Sequence, residues 1–339
     1  MPQRWTPDPE KGPERIRPPG VESSRDEGIV DTRGRAIFTV DLEEYFQVGA
    51  LREMIPKAEW KYLPSRVGWA LDRLLGQLAS FDAKATFFVS GWIVDVHPKL
   101  ARRVVDEGHE VAVLARPPRP EEPDRRRAEF ERVARESRAK LEAEVDRRVV
   151  GFRTSGFTHP VPAPEAAAIL SRCGYRYDST LIDPRAFRSA TDEDPLSPVA
   201  RIPLDGGNLM EVPPTTFDVL GRRLFTVGGT AFRVLPETLV HRLLEREIEP
   251  PGMGVFFMRS WECDPAQPTL PVPAVDRVRL YWGLERVDGR LRRLLGTFSF
   301  QSVSGALGLD TEPGGKKERG ADGARRDRSG PERRRRSHG

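Results

Sequence analysis

Apolar positions in this chain switch repeatedly between two spacings. AIFTVDL (36–42) is an almost unbroken apolar run ending at a carboxylate and predicts a buried strand. SRVGWALDRLLGQLAS (65–80) sets Val67, Leu71, Leu74, Leu75 and Leu78 at helical spacing. KATFFVSG (84–91) predicts a second buried strand. HPKLARRVVDEG (97–108) predicts a helix opened by Pro98 and closed by Gly108. HEVAVL (109–114) is a third strand, and AEFERVARESRAKLEAE (128–144) a charged helix with Phe130, Val133, Ala134, Ser137 and Leu141 on one face. RVVGFRTS (148–155) is a fourth strand and APEAAAILSRCG (163–174) a further helix. A helix near PETLVHRLLERE (236–247) and a strand at GVFFMRS (254–260) follow.

Repeated strand–helix units with fully apolar strands imply a mainly parallel sheet covered by helices. In such folds chemistry gathers at the carboxyl ends of the strands. After the first strand stand Asp41, Glu43 and Glu44. After the third comes a loop holding Leu114, Arg116, Pro117, Pro118 and Arg119. After the fourth come Arg153, Thr154 and Ser155, and after GVFFM come Arg259, Trp261 and Glu262.

Composition narrows the classes. The chain has 339 residues, 38% hydrophobic, with 31 Pro, 30 Gly and a net charge of only +4, which argues against a specific nucleic-acid binder. Residues 1–34 and 306–339 are rich in Pro, Gly and charge without periodicity, and read as disordered segments around a folded unit at 35–305. The tail ends in a basic cluster, Arg333 to Arg336. Two distant cysteines, Cys173 and Cys263, exclude a disulfide framework and a cysteine-rich zinc site. No stretch reads as a signal peptide or a transmembrane segment, so the expected location is cytoplasmic. Phosphate-loop, dinucleotide, HExxH and GxSxG motifs are absent. Gly228–Gly229 reads as a turn.

Five ordered blocks carry a resemblance: FTVDLEEYFQV, KATFFVSGWIVDVHPKLARRVVDEGHEVA, VVGFRTSGF, CGYRYDSTL and MRSWECDPAQPTLP. In order and spacing they resemble the NodB-homology polysaccharide deacetylases (carbohydrate esterase family 4 type). The subgroup found with exosortase and exopolysaccharide loci carries a C-terminal extension, which LGRRLFTVGGTAFRVLP and ERVDGRLRRLLGTFSF are similar to. The resemblance implies a distorted (β/α)7 barrel and, ancestrally, hydrolysis of N-acetyl groups on an aminosugar polymer. In active members one Asp and two His hold a divalent metal, usually zinc, a second Asp is the base and a late His the acid. Three ligands and an open position let a metal activate water and polarise the amide.

Carried over by position, Asp41 matches the base, and Glu43 the metal carboxylate, with Glu44 as an alternative. Leu114 and Pro118 stand where the two metal histidines belong, and neither side chain is a ligand. Arg153 matches an arginine that orients the base, with a plain structural ion pair as the other reading. Asp178 matches a family acid, read as structural. Arg259 replaces the acid histidine, and a guanidinium cannot donate a proton in the useful range. Trp261 and Glu262 remain, either as substrate contacts or as packing at the mouth. Of the five histidines, only His159 falls in a loop expected near the mouth.

These readings describe a polysaccharide deacetylase-like protein of impaired catalysis, its partner an N-acetylated polysaccharide or exopolysaccharide machinery, with no cofactor expected. One alternative is an active hydrolase of carbon–nitrogen bonds with a carboxylate site rebuilt around Zn, Mn or Mg. The other is a non-enzymatic glycan- or polyanion-binding module.

Overall fold

The structure, a computed structural model, describes residues 36–182, 199–204, 207–219, 222–249, 252–309 and 311. The disordered segment expected at 1–34 and the tail beyond 311 lie outside the described residues. The boundary expected at 305 falls inside a helix, so the described fold continues to Leu309.

Strands and helices follow in the order β1 (Ala36–Leu42), α1 (Gly49–Met54), α2 (Val67–Ser80), β2 (Thr86–Ser90), α3 (Gly91–Val96), α4 (Pro98–Asp106), β3 (Glu110–Ala115), α5 (Pro123–Val145), β4 (Gly151–Thr154), α6 (Ala163–Arg172) and β5 (Tyr177–Asp178). Then come β6 (Ala200–Leu204), β7 (Gly207–Glu211), β8 (Thr216–Val219), β9 (Arg222–Thr226), α7 (Gly229–Val234), α8 (Glu237–Ile248), β10 (Gly254–Arg259), α9 (Ala274–Tyr281), α10 (Val287–Thr297), β11 (Phe300–Gln301) and α11 (Val303–Leu307). Each strand and helix expected from hydrophobic spacing is present.

The main sheet runs β10-β1-β2-β3-β4-β5-β7-β6. Seven of these strands are parallel, and only β6 is antiparallel, to β7. The chain leaving β7 joins the two ends. Val212 N donates to Asp178 O at 2.7 Å, and Thr215 N to Val255 O on β10 at 2.9 Å. The sheet thereby curls into a barrel with one irregular seam. β8 and β9 pair as a separate hairpin. The chain leaving it passes Val227 and Gly228 along β10, where Gly228 bridges Phe257.

Side chains alternate across each strand, so one face of every strand looks into the barrel. On β1, Ala36, Phe38, Val40 and Leu42 face the covering helices, while Ile37 joins the inner cluster with Phe88, Ala112, Leu114, Tyr177, Val212 and Val255. Burial on both faces explains the unbroken apolar run, and each fully buried Phe or Leu stabilises the fold by about 1.5–3 kcal/mol. The amino end of the barrel is sealed by α11, which places Val303 and Ala306 in the inner cluster. Buried Glu110 anchors that seal. Its carboxylate accepts from Ser304 N (2.9 Å), Tyr177 Oη (2.9 Å) and Thr86 Oγ1.

Candidate functional site at the barrel mouth

Inward positions on β1 climb from Ile37 through Thr39 to Asp41, and Glu43 follows at the same period of two. Asp41 is buried and does not stand alone. Arg153 Nη1 donates to Asp41 Oδ1 at 2.8 Å. The same guanidinium donates from Nη2 to Ser179 Oγ (2.7 Å) and Thr39 Oγ1 (3.2 Å), and from Nε to Ser179 O (3.0 Å). Its carbon lies 3.8 Å from the Phe88 ring centroid, with Phe257 and Phe157 also around it. Burial lowers the Arg153 pKa, and Asp41 opposes that shift. This is a fully desolvated ion pair held by four strands. An ion pair with Asp41 is common to both sequence readings of Arg153.

One step toward solvent stands Glu43, also buried, its position fixed by reciprocal bonds with Ser260. Glu43 N donates to Ser260 Oγ at 3.2 Å, and Ser260 Oγ donates to Glu43 O at 2.9 Å. Arg259, register partner of Asp41 on β10, reaches Glu43 Oε1 with its Nε at 3.4 Å. Burial, then the charge of Asp41, push the Glu43 carboxyl up to about 8, and Arg259, Arg116 and Arg52 pull against that rise. The sequence reading did not name Arg52, and it placed Arg116 in the loop after the third strand without giving it a role. For Arg116 a signal existed: it lies two residues beyond Leu114, at the first position past the end of β3.

Leu114 is buried in the inner cluster as an ordinary core side chain, while Pro118 lies exposed on the loop. A divalent metal at Asp41 and Glu43 therefore finds no imidazole at either expected position. It would instead meet guanidinium groups that repel it. The residues present do not fit the metal that the family implies at this place.

Three site expectations are corrected by position. Glu44 is not available as a ligand: its carboxylate accepts from Arg66 N at 2.9 Å, from Val67 N at 3.2 Å and from the Ser65 hydroxyl, capping α2. Trp261 is not presented to a substrate, because it is buried with Tyr45, Phe46, Trp60, Leu280 and Leu284. Glu262 is buried as well. It accepts from Arg233 Nε at 2.8 Å and from Arg259 N at 2.8 Å, so it fixes the backbone that carries Arg259. For Trp261 and Glu262 the packing reading is the one the structure takes.

His159 is also not at the mouth. Its Nε2 lies 2.7 Å from Asp178 Oδ2, and its ring packs 5.7 Å from Phe130 of α5. Tyr177 and Val212 face the barrel interior. Their neighbours Asp178 and Glu211 consequently face outward, toward the helices. His159, Asp178 and Glu211 bring potential ligand atoms within 4.8 Å of one another, a group able to hold a metal, but behind the sheet. Asp178 and Thr180 satisfy each other, and Glu211 Oε1 accepts from Thr180 N and Leu181 N. Burial, then the Asp178 charge, raise the Glu211 carboxyl well above its ordinary range, which favours its protonated form.

Comparison with known proteins agrees with the sequence reading. Residues 68–177 match the family model described as polysaccharide deacetylase, and residues 187–308 match a domain of unknown function, DUF3473. Residues 68–177 thus carry a polysaccharide deacetylase domain, followed by that C-terminal region. The extension read from 220–236 and 285–300 falls inside the second match. None of the curated proteins compared matches the sequence. Among solved structures, the chain is similar to a putative polysaccharide deacetylase from Mycobacterium smegmatis, at 17% identity over 84% of this chain and 98% of that one, with a TM-score of 0.46. It is similar to a CE4 family pseudoenzyme from Bacillus anthracis at 15% identity, covering 81% of this chain and 66% of that one, TM-score 0.42. A third is the peptidoglycan deacetylase PdaC from Bacillus subtilis, at 12% identity over 82% and 93%, TM-score 0.42.

Proposed function

We propose that this protein is a catalytically impaired polysaccharide deacetylase that binds a polysaccharide at its barrel mouth without releasing acetate. The observation that carries the reading is the set of side chains around Asp41 and Glu43. Arg153 and Arg259 meet these carboxylates, while Leu114 is core and Pro118 is exposed. Deacetylation needs an activated water and a proton donor for the departing amine. Leu114 and Pro118 offer no ligand for a metal that would activate that water, and Arg259, which does not give up its proton in the useful range, stands in the acid's place. The subgroup resemblance supports an exopolysaccharide as the polymer, and the partner as machinery that makes or exports it. Among the described residues no helix is long and apolar enough to cross a membrane.

The test is acetate release from N-acetylglucosamine oligomers with added Zn²⁺, Co²⁺, Mn²⁺ or Mg²⁺, alongside elemental analysis of the purified protein. The expected result is no turnover above a no-protein control. Turnover abolished by Asp41→Asn would overturn the reading. A second reading, an active enzyme with a rebuilt metal site, draws on the clustering of His159, Asp178 and Glu211. Its weakness is that these residues face the helices, on the opposite side of the sheet from Asp41. Metal-dependent turnover lost in Glu211→Gln would favour it.

A further inference from the structure

Positive charge at the mouth exceeds what the protein itself neutralises. Asp41 is already paired with Arg153. That leaves Glu43 as the one acid in the field of Arg52, Arg116 and Arg259. Only Arg259 is within ion-pair reach of it, at 3.4 Å. Among the described residues Arg52 and Arg116 have no ion-pair partner. Arg116 Nη2 donates to Ser155 Oγ at 2.6 Å, and Arg52 lies over the Trp60 ring at 5.6 Å. Arg52 and Arg116 act on each other as like charges, as do Arg116 and Arg259. Arg119, on the same loop, is held by Thr158 O at 2.8 Å and adds to the field at Arg116.

Gathering like charges costs free energy unless something offsets it, and one carboxylate cannot pair with three guanidiniums. The scaffold nonetheless holds them. Arg259 is fixed through its backbone by Glu262, and its guanidinium lies 5.0 Å from the Phe257 ring. Arg116 is the first residue past the end of β3, two beyond Leu114. Guanidiniums present paired donors that match the two oxygens of an acid group.

We propose that the barrel mouth is an anion subsite that seats the acidic group of a charged sugar between Arg116 and Arg259, with Arg52 completing the charge balance. A uronate carboxylate and a sulfate ester offer the same paired oxygens, so the ligand class is an acidic polysaccharide. This inference rests on the binding reading above and adds the chemistry of what is bound.

The experiment measures binding of the full chain to three oligosaccharides of equal length by calorimetry. They are an oligogalacturonate, a sulfated oligosaccharide and a neutral N-acetylglucosamine oligomer. An acidic oligosaccharide is expected to bind about 10-fold more tightly than the neutral one, the scale of one charge-assisted hydrogen-bonded pair. Added salt should weaken the acidic complex and leave the neutral one unchanged. Arg116→Gln and Arg259→Gln should each erase most of the difference, and Arg259→Lys should keep part of it. Arg135→Gln, on the exposed face of α5, serves as the control without effect. Unfolding curves for every variant identify any loss that reflects misfolding, and Arg259→Lys keeps the test readable if a Gln variant fails to fold. The carboxylate and sulfate arms report which acid fits better. Equal binding of neutral and acidic oligomers, no binding of either acid, or Arg variants indistinguishable from wild type would each overturn the subsite. Acetate release from the neutral oligomer would instead overturn the non-hydrolytic reading while leaving the acid preference measurable.

Discussion

Replacing Glu43 by glutamine should alter how stability depends on pH, and the sign follows from burial. In the unfolded chain Glu43 releases its proton near the ordinary value of 4.5, whereas in the folded protein it holds the proton up to about 8. Between those limits the folded state binds more protons than the unfolded state, so this group lowers stability as pH rises. Below 4.5 both states are protonated and the contribution is absent. Above 8 both are ionised and the penalty is constant. At about 1.4 kcal/mol per pH unit, the ceiling over the full window is on the order of 5 kcal/mol. The Glu43→Gln variant has no proton to lose at this position. Any cost of placing an amide beside Arg259 is independent of pH and cancels in the comparison across pH. Urea unfolding of both proteins at pH 5, 6.5, 8 and 9 gives the difference directly, because other titrating groups are common to the pair. The expected result is a difference that moves steadily in favour of the variant up to pH 8, by several kcal/mol, and then levels. A difference flat across that range would show that Glu43 is ionised throughout and that the mouth is wetter than its burial implies.

Arg153→Met should cost about 3–5 kcal/mol in a denaturant titration, because it leaves Asp41 buried without its partner; a loss below about 1 kcal/mol would mean water reaches Asp41. Glu44→Ala should cost about 1–2 kcal/mol by uncapping α2, read from the same titration, and should leave oligosaccharide affinity unchanged. Gly228→Ala should fail to give a folded protein or lower its melting point sharply, since an added Cβ would overlap the Phe257 carbonyl oxygen at a φ of 144°. Chelator treatment should leave the melting temperature unchanged, and a drop that Glu211→Gln abolishes would place a structural metal among His159, Asp178 and Glu211.

The barrel was legible because its strands are buried on both faces and its helices on one. AIFTVDL and GVFFMR could be read as strands from apolar content alone, and the family blocks fixed their order. The site was legible only where a residue's place on a strand sets its direction. Asp41, Arg153 and Arg259 stand where strand ends put them, and the structure brings their side chains together. Glu44, one residue off the inward period, turned away to a helix end 22 residues on, a partner that no local pattern announces. His159 misled because a loop after a strand end has two sides, and this one folds back over the outer face. Gly228 is more than a turn: it lets the chain lie against β10. Arg52 sits on a short helix that carries no motif, and only the folded chain shows which carboxylate it faces.

The barrel's closure also has a bearing on how the chain is made. β1 is the first described strand, yet its neighbour on one side is β10, and Thr39 Oγ1 bonds Phe256 O across 217 residues. At about 5–20 residues per second, a ribosome needs roughly ten to forty seconds to deliver that neighbour. Throughout that interval Phe38 and Val40 belong to an apolar strand with one edge open. The same edge is a template for pairing with another nascent chain. Yield of soluble protein should therefore respond to chaperone supply and to translation speed.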